Sequence, residues 1–180
     1  MKTKTLIKSI VVLTVICIAI SAALAVVNSF TAPIIAADAA ERENASRQQV
    51  LPQASTFTPV TGAFPATVTG AYCGTDETGE IVGYVFTTGN KGFDGTISVM
   101  TAIDCSGNIV AVSTLDVTSE TATLGGQTAK ESYTSQYTGK DSALEGVDII
   151  SGATITSEAY EQCVLDAFTA YDAVKEGTYE

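Results

Sequence analysis

The chain has 180 residues, room for one domain and a modest appendage. It carries 9 basic against 20 acidic residues, a formal net charge of −11, with 46% hydrophobic residues and no histidine. The missing imidazole excludes His-ligated zinc, Ser-His-Asp triads and Cys-His dyads, and the charge argues against nucleic acid, whose binding rests on clustered Lys and Arg.

In chain order, Lys2, Lys4 and Lys8 mark residues 1–8 as a cytoplasmic N-terminus. From Ser9 to Ala37 there is no charge, and Ile10 to Val27 is almost wholly aliphatic. Roughly 20 such residues, each rising about 1.5 Å, suffice for a helix to cross the hydrocarbon core. Residues 9–30 are therefore predicted to span a membrane. A cleaved signal peptide competes, but its apolar core is usually about 7–15 residues, and here the run continues past the cleavage-like Ala23-Leu24-Ala25. Cys17, in the middle of the run, reads as a lipid-facing or packing residue. All 20 acidic residues follow the run, against six of the basic ones, a balance of −14 beyond the anchor. The positive-inside rule then predicts a single-pass protein with an extracytoplasmic C-terminal part.

Residues 31–65 are read as a juxtamembrane helix and lead-in. Pro33 to Val50 is rich in Ala, Glu, Arg and Gln and is expected to stop near Leu51-Pro52, with Ala54 to Pro65 irregular. Residues 66–180 form the domain. Thr67–Cys73, Ile81–Thr87, Thr96–Ile103 and Ile109–Leu115 are rich in β-branched or aromatic residues. Between them lie the turn segments Asp76-Glu77-Thr78-Gly79, Gly89-Asn90-Lys91-Gly92 and Asp104-Cys105-Ser106-Gly107. Gaps this short predict antiparallel hairpins, clearest for the last two strands. Thr118–Gly126 is a polar loop, and Thr128–Tyr137 has helical character. Tyr160, Cys163, Val164, Ala167, Phe168, Tyr171 and Val174 form one apolar stripe on a helix predicted over Ser157–Lys175. Cys73, Cys105 and Cys163 allow one disulfide with a thiol left over, and spacing singles out no pair. The fold class is α+β: an N-terminal transmembrane helix, then one domain with a mainly antiparallel twisted sheet and flanking helices.

Ser151-Gly152-Ala153-Thr154-Ile155-Thr156-Ser157 lies between the apolar Val147–Ile150 and the last helix. Hydroxyls, free backbone N–H groups and the positive end of a helix dipole converge there, which suits a phosphate. Gly152 and Ala153 let a bulky group approach the backbone. The same residues also fit a plain helix cap at Thr156 or Ser157.

Asp148-Ile149-Ile150-Ser151-Gly152-Ala153-Thr154 resembles the flavinylation motif D-x-x-[ST]-G-A-T, in which a flavin transferase joins FMN to the final threonine through a phosphoester. The surrounding chain resembles the FMN-binding domain family shared by the G subunit of the Rnf complex and the C subunit of sodium-translocating NADH:quinone reductase. Val27-Asn28-Ser29-Phe30-Thr31-Ala32-Pro33 is similar to that family's anchor exit, Val50-Leu51-Pro52 to the end of its juxtamembrane helix, and Gly83-Tyr84-Val85-Phe86 to one of its strands. Glu120-Thr121-Ala122-Thr123-Leu124-Gly125 resembles the family's E-T-P-G-L-G loop beside the flavin, with Ala122 and Thr123 replacing the proline and glycine. Gln136-Tyr137-Thr138-Gly139-Lys140 is similar to a further family segment.

The resemblance implies covalent FMN on Thr154, with Ser151, Gly152 and Ala153 shaping the motif loop and Glu120, Thr121, Leu124 and Gly125 along the ring. Lys140 either offsets phosphate charge or is a solvated surface lysine, and Glu120 is either a ring-side group or an exposed loop carboxylate. No residue is assigned a catalytic role and no metal is expected. The implied function is electron carriage in a membrane-bound, ion-translocating ferredoxin:NAD oxidoreductase. Its implied partners are other membrane subunits, including a second covalent-flavin subunit, and a flavin transferase for maturation. Two other readings stay open: a stand-alone extracytoplasmic flavoprotein reductase, for which the chain beyond the anchor leaves little room for a substrate domain, and a non-redox anchored surface protein.

Overall fold

The computed structural model describes residues 2–177. The chain forms two units that meet in sequence between Arg42 and Glu43. Helix α1 (Lys2–Val50) contributes to both. In the first unit, Ile10–Pro33 is a 24-residue apolar stretch, none of it buried by protein. At about 1.5 Å per residue it outspans a hydrocarbon core of about 30 Å. Pro33 lies inside the helix, where it cannot donate to the carbonyl one turn back. Just before it, Ser29 Oγ donates to the Val26 carbonyl (2.8 Å) and Thr31 Oγ1 to that of Val27 (2.9 Å), so both hydroxyls are satisfied without water.

The second unit is built on one five-stranded antiparallel sheet in meander order, β1 to β5. The strands are β1 (Thr56–Pro59), β2 (Val68–Thr75), β3 (Ile81–Lys91), β4 (Thr96–Asp104) and β5 (Ile109–Asp116). Two short 3₁₀ turns (Gly125–Ala129 and Ser135–Tyr137) flank the single turn α2 (Glu131–Thr134), and α3 (Thr154–Lys175) closes the fold. Side chains alternate across a sheet, and here both faces are covered. Ile97, Val99 and Ile103 of β4 face the core containing Tyr160, Val164, Ala167 and Phe168 of α3. Met100 and Ala102 face the other way, packing with Val50, Leu51 and Ala54 at and just beyond the end of α1. Burial on both sides explains why Val99 to Ile103 of β4 are buried residue after residue, with no exposed alternate positions.

Polar ties fix α3 on the sheet. Asp166 accepts hydrogen bonds from Thr67 Oγ1 (2.6 Å) and Asn90 Nδ2 (2.9 Å), and Thr88 Oγ1 donates to the Cys163 carbonyl (3.0 Å). Burial raises the Asp166 carboxyl, but the bonds from Thr67, Asn90 and Gln162 outweigh it and leave the pKa below the ordinary value. Tyr133 and Tyr137 pack their rings on Tyr160, at 5.3 and 5.5 Å between centroids. That cluster backs the 3₁₀ segment against α3.

The α+β class and the four strands β2 to β5 are as expected, and four elements differ. Residues 56–59, expected to be irregular, form edge strand β1 against β2, from Thr56↔Thr75 to Pro59↔Tyr72. It is short and mostly exposed, and its proline sits at the end of an edge strand, where a missing N–H is tolerated. The turn expected at 89–92 lies later: Gly89, Asn90 and Lys91 pair with Ser98, Ile97 and Thr96, and Gly92 N–H closes on the Gly95 carbonyl (2.7 Å). Residues 128–137 are not one helix, because Lys130 is extended (φ −79°, ψ 143°). Helix α3 starts at Thr154, three residues before the expected Ser157. Cys17, Cys73, Cys105 and Cys163 are all free thiols.

Candidate functional site

The early start of α3 changes the roles of its hydroxyls. The N-cap position is Ala153, with no side-chain cap, so the first-turn N–H groups are left to other partners. Thr156 and Ser157 do not cap the helix. Thr156 is buried and donates through Oγ1 to Glu120 Oε2 (2.8 Å), while Ser157 Oγ accepts the Ile150 N–H (3.1 Å). The segment before the helix is pinned at two further points. Gln136 and Asp148 exchange a pair of hydrogen bonds (2.8 and 3.2 Å), and Ala153 N–H donates to the Ile150 carbonyl (2.9 Å). Gly152 turns the chain at φ +82°, a conformation glycine alone adopts cheaply. Thr154, the first helical residue, is left exposed.

The loop after β5 supplies the opposite wall. Asp116 starts it by accepting from Thr118 N–H and Oγ1 (2.8 and 2.7 Å), and Leu124 and Gly126 N–H groups fold back on the Thr121 carbonyl (2.9 and 3.0 Å). Glu120 is the buried carboxylate of this loop, only 8% exposed. Its Oε1 accepts the Asp94 N–H (3.1 Å) and its Oε2 the Thr156 hydroxyl (2.8 Å). Burial raises its pKa, but the Thr156 hydroxyl and the N–H groups of Asp94, Gly95 and Phe93 outweigh it, so the carboxyl lies below its ordinary value and stays ionised. A Cβ on Gly125 would overlap Glu120 Oε2 and approach Thr156 Oγ1 to 2.9 Å, so glycine is needed where these walls meet.

Between the walls is a cleft of about 280 Å³. Glu120, Thr121, Leu124 and Gly125 line one side, and Gly152, Ala153 and Thr154 the other. Seven of the nine residues selected from the sequence thus meet in one place. Ser151 is exposed on the motif loop and is not among the lining residues. Lys140 donates to the Glu145 carbonyl and does not line the cleft. The lining also includes Phe93, Ile155 and Thr156, which sequence reasoning did not select. Phe93, Ile155 and Leu124 are 71%, 53% and 43% exposed, an apolar grouping open to solvent beside an uncapped helix end. An apolar slot for a planar ring, with N–H groups and a hydroxyl for a phosphate, is the donor set a flavin mononucleotide needs, and the residues present fit it.

A small antiparallel sheet with a hydroxyl-bearing helix entrance beside such a slot is suited to a flavin nucleotide, and the family match makes it an FMN-binding domain. The FMN-binding domain family matches residues 92–169, a range that holds Phe93, the Glu120 loop and Thr154. Among full-length relatives, the chain is 30% identical to the G subunit of the ion-translocating oxidoreductase complex of Methanosarcina acetivorans, over 97% of this chain and 98% of that protein. It is also 30% identical to the G subunit of the Na(+)-translocating ferredoxin:NAD(+) oxidoreductase complex of Acetobacterium woodii, over 92% and 84%. A third relative is the G subunit of the proton-translocating ferredoxin:NAD(+) oxidoreductase complex of Clostridium ljungdahlii, 24% identical over 86% and 85%. The chain belongs to this family of G subunits, and it is a membrane-anchored protein with an FMN-binding domain.

Proposed function

We propose that this chain is the electron-carrying G subunit of a membrane-bound, ion-translocating ferredoxin:NAD oxidoreductase, with FMN held covalently on Thr154. The observation that carries the attachment is the exposed Thr154 hydroxyl at the first residue of α3, beside an N-cap alanine that leaves the helix N–H groups uncapped. Maturation transfers a flavin phosphate from an activated flavin nucleotide bound to a flavin transferase. Thr154 Oγ1 would lose its proton and form the new P–O bond, with the other half of the phosphoanhydride as leaving group.

FMN accepts two electrons and releases them singly, which suits a relay. The protein's part is placement. Thr154 would tether the group, the first-turn N–H groups of α3 would hold its phosphate, and Leu124 and Gly125 would give the ring an apolar wall. Glu120 fixes that wall to α3 through Thr156. A tether matters for a domain on the extracytoplasmic side, where a dissociated cofactor is lost. The lysines before the anchor and the acidic surplus after it support that orientation. The neighbours are integral membrane subunits and a second subunit carrying covalent flavin.

Co-expression with a flavin transferase, followed by in-gel fluorescence of the denatured protein, tests the attachment. A fluorescent wild-type band and a dark Thr154→Val band are expected. A dark wild-type band rejects the reading, and a Thr156→Val band that alone goes dark moves the attachment by two residues.

A further inference from the structure

The turn between β3 and β4 holds a large aromatic side chain in an unusual position. Phe93 is 71% exposed on the four-residue turn Gly92-Phe93-Asp94-Gly95, yet it lines the cleft that also holds Thr154. Nothing in the packing of the sheet places it there, because the core clusters lie on the two sheet faces. What fixes the turn is Glu120, 26 residues further on, which accepts the Asp94 N–H through Oε1 (3.1 Å). The approach is close: a Cβ on Gly92 would come within 2.5 Å of the same oxygen. The other oxygen of Glu120 holds Thr156. One buried carboxylate therefore links the turn carrying Phe93 to the helix carrying Thr154. A rigid aromatic ring left largely in water beside a slot is a contact surface waiting for a planar partner.

We infer that Phe93 is an aromatic wall of the flavin site, contacting the ring of the bound FMN, and that Glu120 is the positioning residue that clips this wall to the attachment helix. This rests on FMN being tethered at Thr154. Phe93 and Leu124 both line the cleft, and together they would shield a ring bound there. Without the phenyl group one face of the ring is open to solvent. The clip holds the turn through Asp94 and the helix through Thr156, so losing Glu120 frees the face that Phe93 covers.

The test uses the full-length, flavinylated chain in detergent, with iodide as a collisional quencher of flavin emission. Phe93 is exposed, so its replacement leaves the fold intact. Phe93→Ala is expected to raise the iodide quenching constant about twofold or more, by removing one face of the stack. Phe93→Trp, which introduces the chain's single tryptophan, is expected to quench flavin emission by direct contact. Glu120→Ala should raise iodide quenching at least as far as Phe93→Ala does, and removing Phe93 in that background should add nothing further. Glu120→Gln keeps an acceptor oxygen for the Asp94 N–H and should stay close to wild type. Flavin fluorescence of each denatured band reports attachment separately. Attached flavin with iodide quenching unchanged in Phe93→Ala, or emission unchanged in Phe93→Trp, overturns the wall. Wild-type quenching in a folded Glu120→Ala, or a Glu120→Gln as open as Phe93→Ala, overturns the clip. A wild-type chain without covalent flavin overturns the attachment reading and this inference with it.

Discussion

The two walls of the cleft are held by opposite means. The Glu120 side is fixed by a buried, ionised carboxylate whose oxygens reach the 92–95 turn and Thr156 on α3. The Asp148–Thr154 side is exposed along most of its length and pinned at intervals, by Gln136 at Asp148 and by Ser157 at Ile150. The first arrangement maintains shape, since buried charge-assisted bonds are costly to break. The second presents a hydroxyl. On the proposed reading, a residue to be modified belongs on the exposed wall, and a residue that sets the geometry of a slot belongs on the buried one. Damage to the exposed wall should therefore abolish attachment and spare stability, and damage to the buried wall should do the reverse.

The sharpest test of that contrast is at Thr154. Thr154→Val should remove all covalent flavin in the gel assay while leaving the unfolding free energy in urea within about 0.5 kcal/mol of wild type, because its side chain is exposed. A large loss of stability would show that the attachment wall is also structural. Next is Glu120→Leu, which leaves the Asp94 N–H and the Thr156 hydroxyl without their acceptor. A loss of about 1–3 kcal/mol is expected in urea unfolding, with flavin still attached.

Acid should act on the buried wall and on the contact that seats α3 on the sheet. The folded-state pKa values of Glu120 and Asp166 are both depressed by hydrogen bonds that outweigh burial. Each contributes stability that is complete above its unfolded value and lost as pH falls through its folded value. Unfolding free energy should be flat near neutrality and decline below about pH 4, where free carboxyls protonate. Glu120→Gln should flatten part of that decline. The smallest expected effect is a gain away from both walls. Thr101 Oγ1 is buried in β4 with no hydrogen-bond partner among the described residues, so Thr101→Val should raise stability by about 1 kcal/mol and leave the flavin untouched.

How far the sequence reveals this arrangement follows from the range of the forces involved. Strands β2 to β5, the hairpin through Gly107 and the apolar stripe of α3 rest on local periodicity and turn chemistry, so they are readable residue by residue. The hydroxyl-rich entrance to α3 is readable in the same way, while a flavin role for Thr154 is implied only by the family resemblance. What escapes is set by partners distant in the chain. Nothing near Glu120 in a polar loop announces burial, because its partners are Asp94 and Thr156. Phe93 lies in a turn displaced by three residues from its expected place, since Asn90 is recruited into β3 and donates to Asp166. Thr156 and Ser157 resemble caps, yet both hydroxyls are committed elsewhere, and the helix begins at Thr154. The glycine at Gly125 offers one retrospective signal, because its Cβ would collide with the carboxylate that organises the site.

The central claim is that Thr154 carries the flavin. Peptide mass mapping of the chain purified from membranes tests it most directly. The peptide spanning Asp148–Thr156 should carry the mass of one FMN joined by a phosphoester, with fragment ions placing it on Thr154. An unmodified peptide, or fragments that place the flavin on Ser151 or Thr156, would contradict the account.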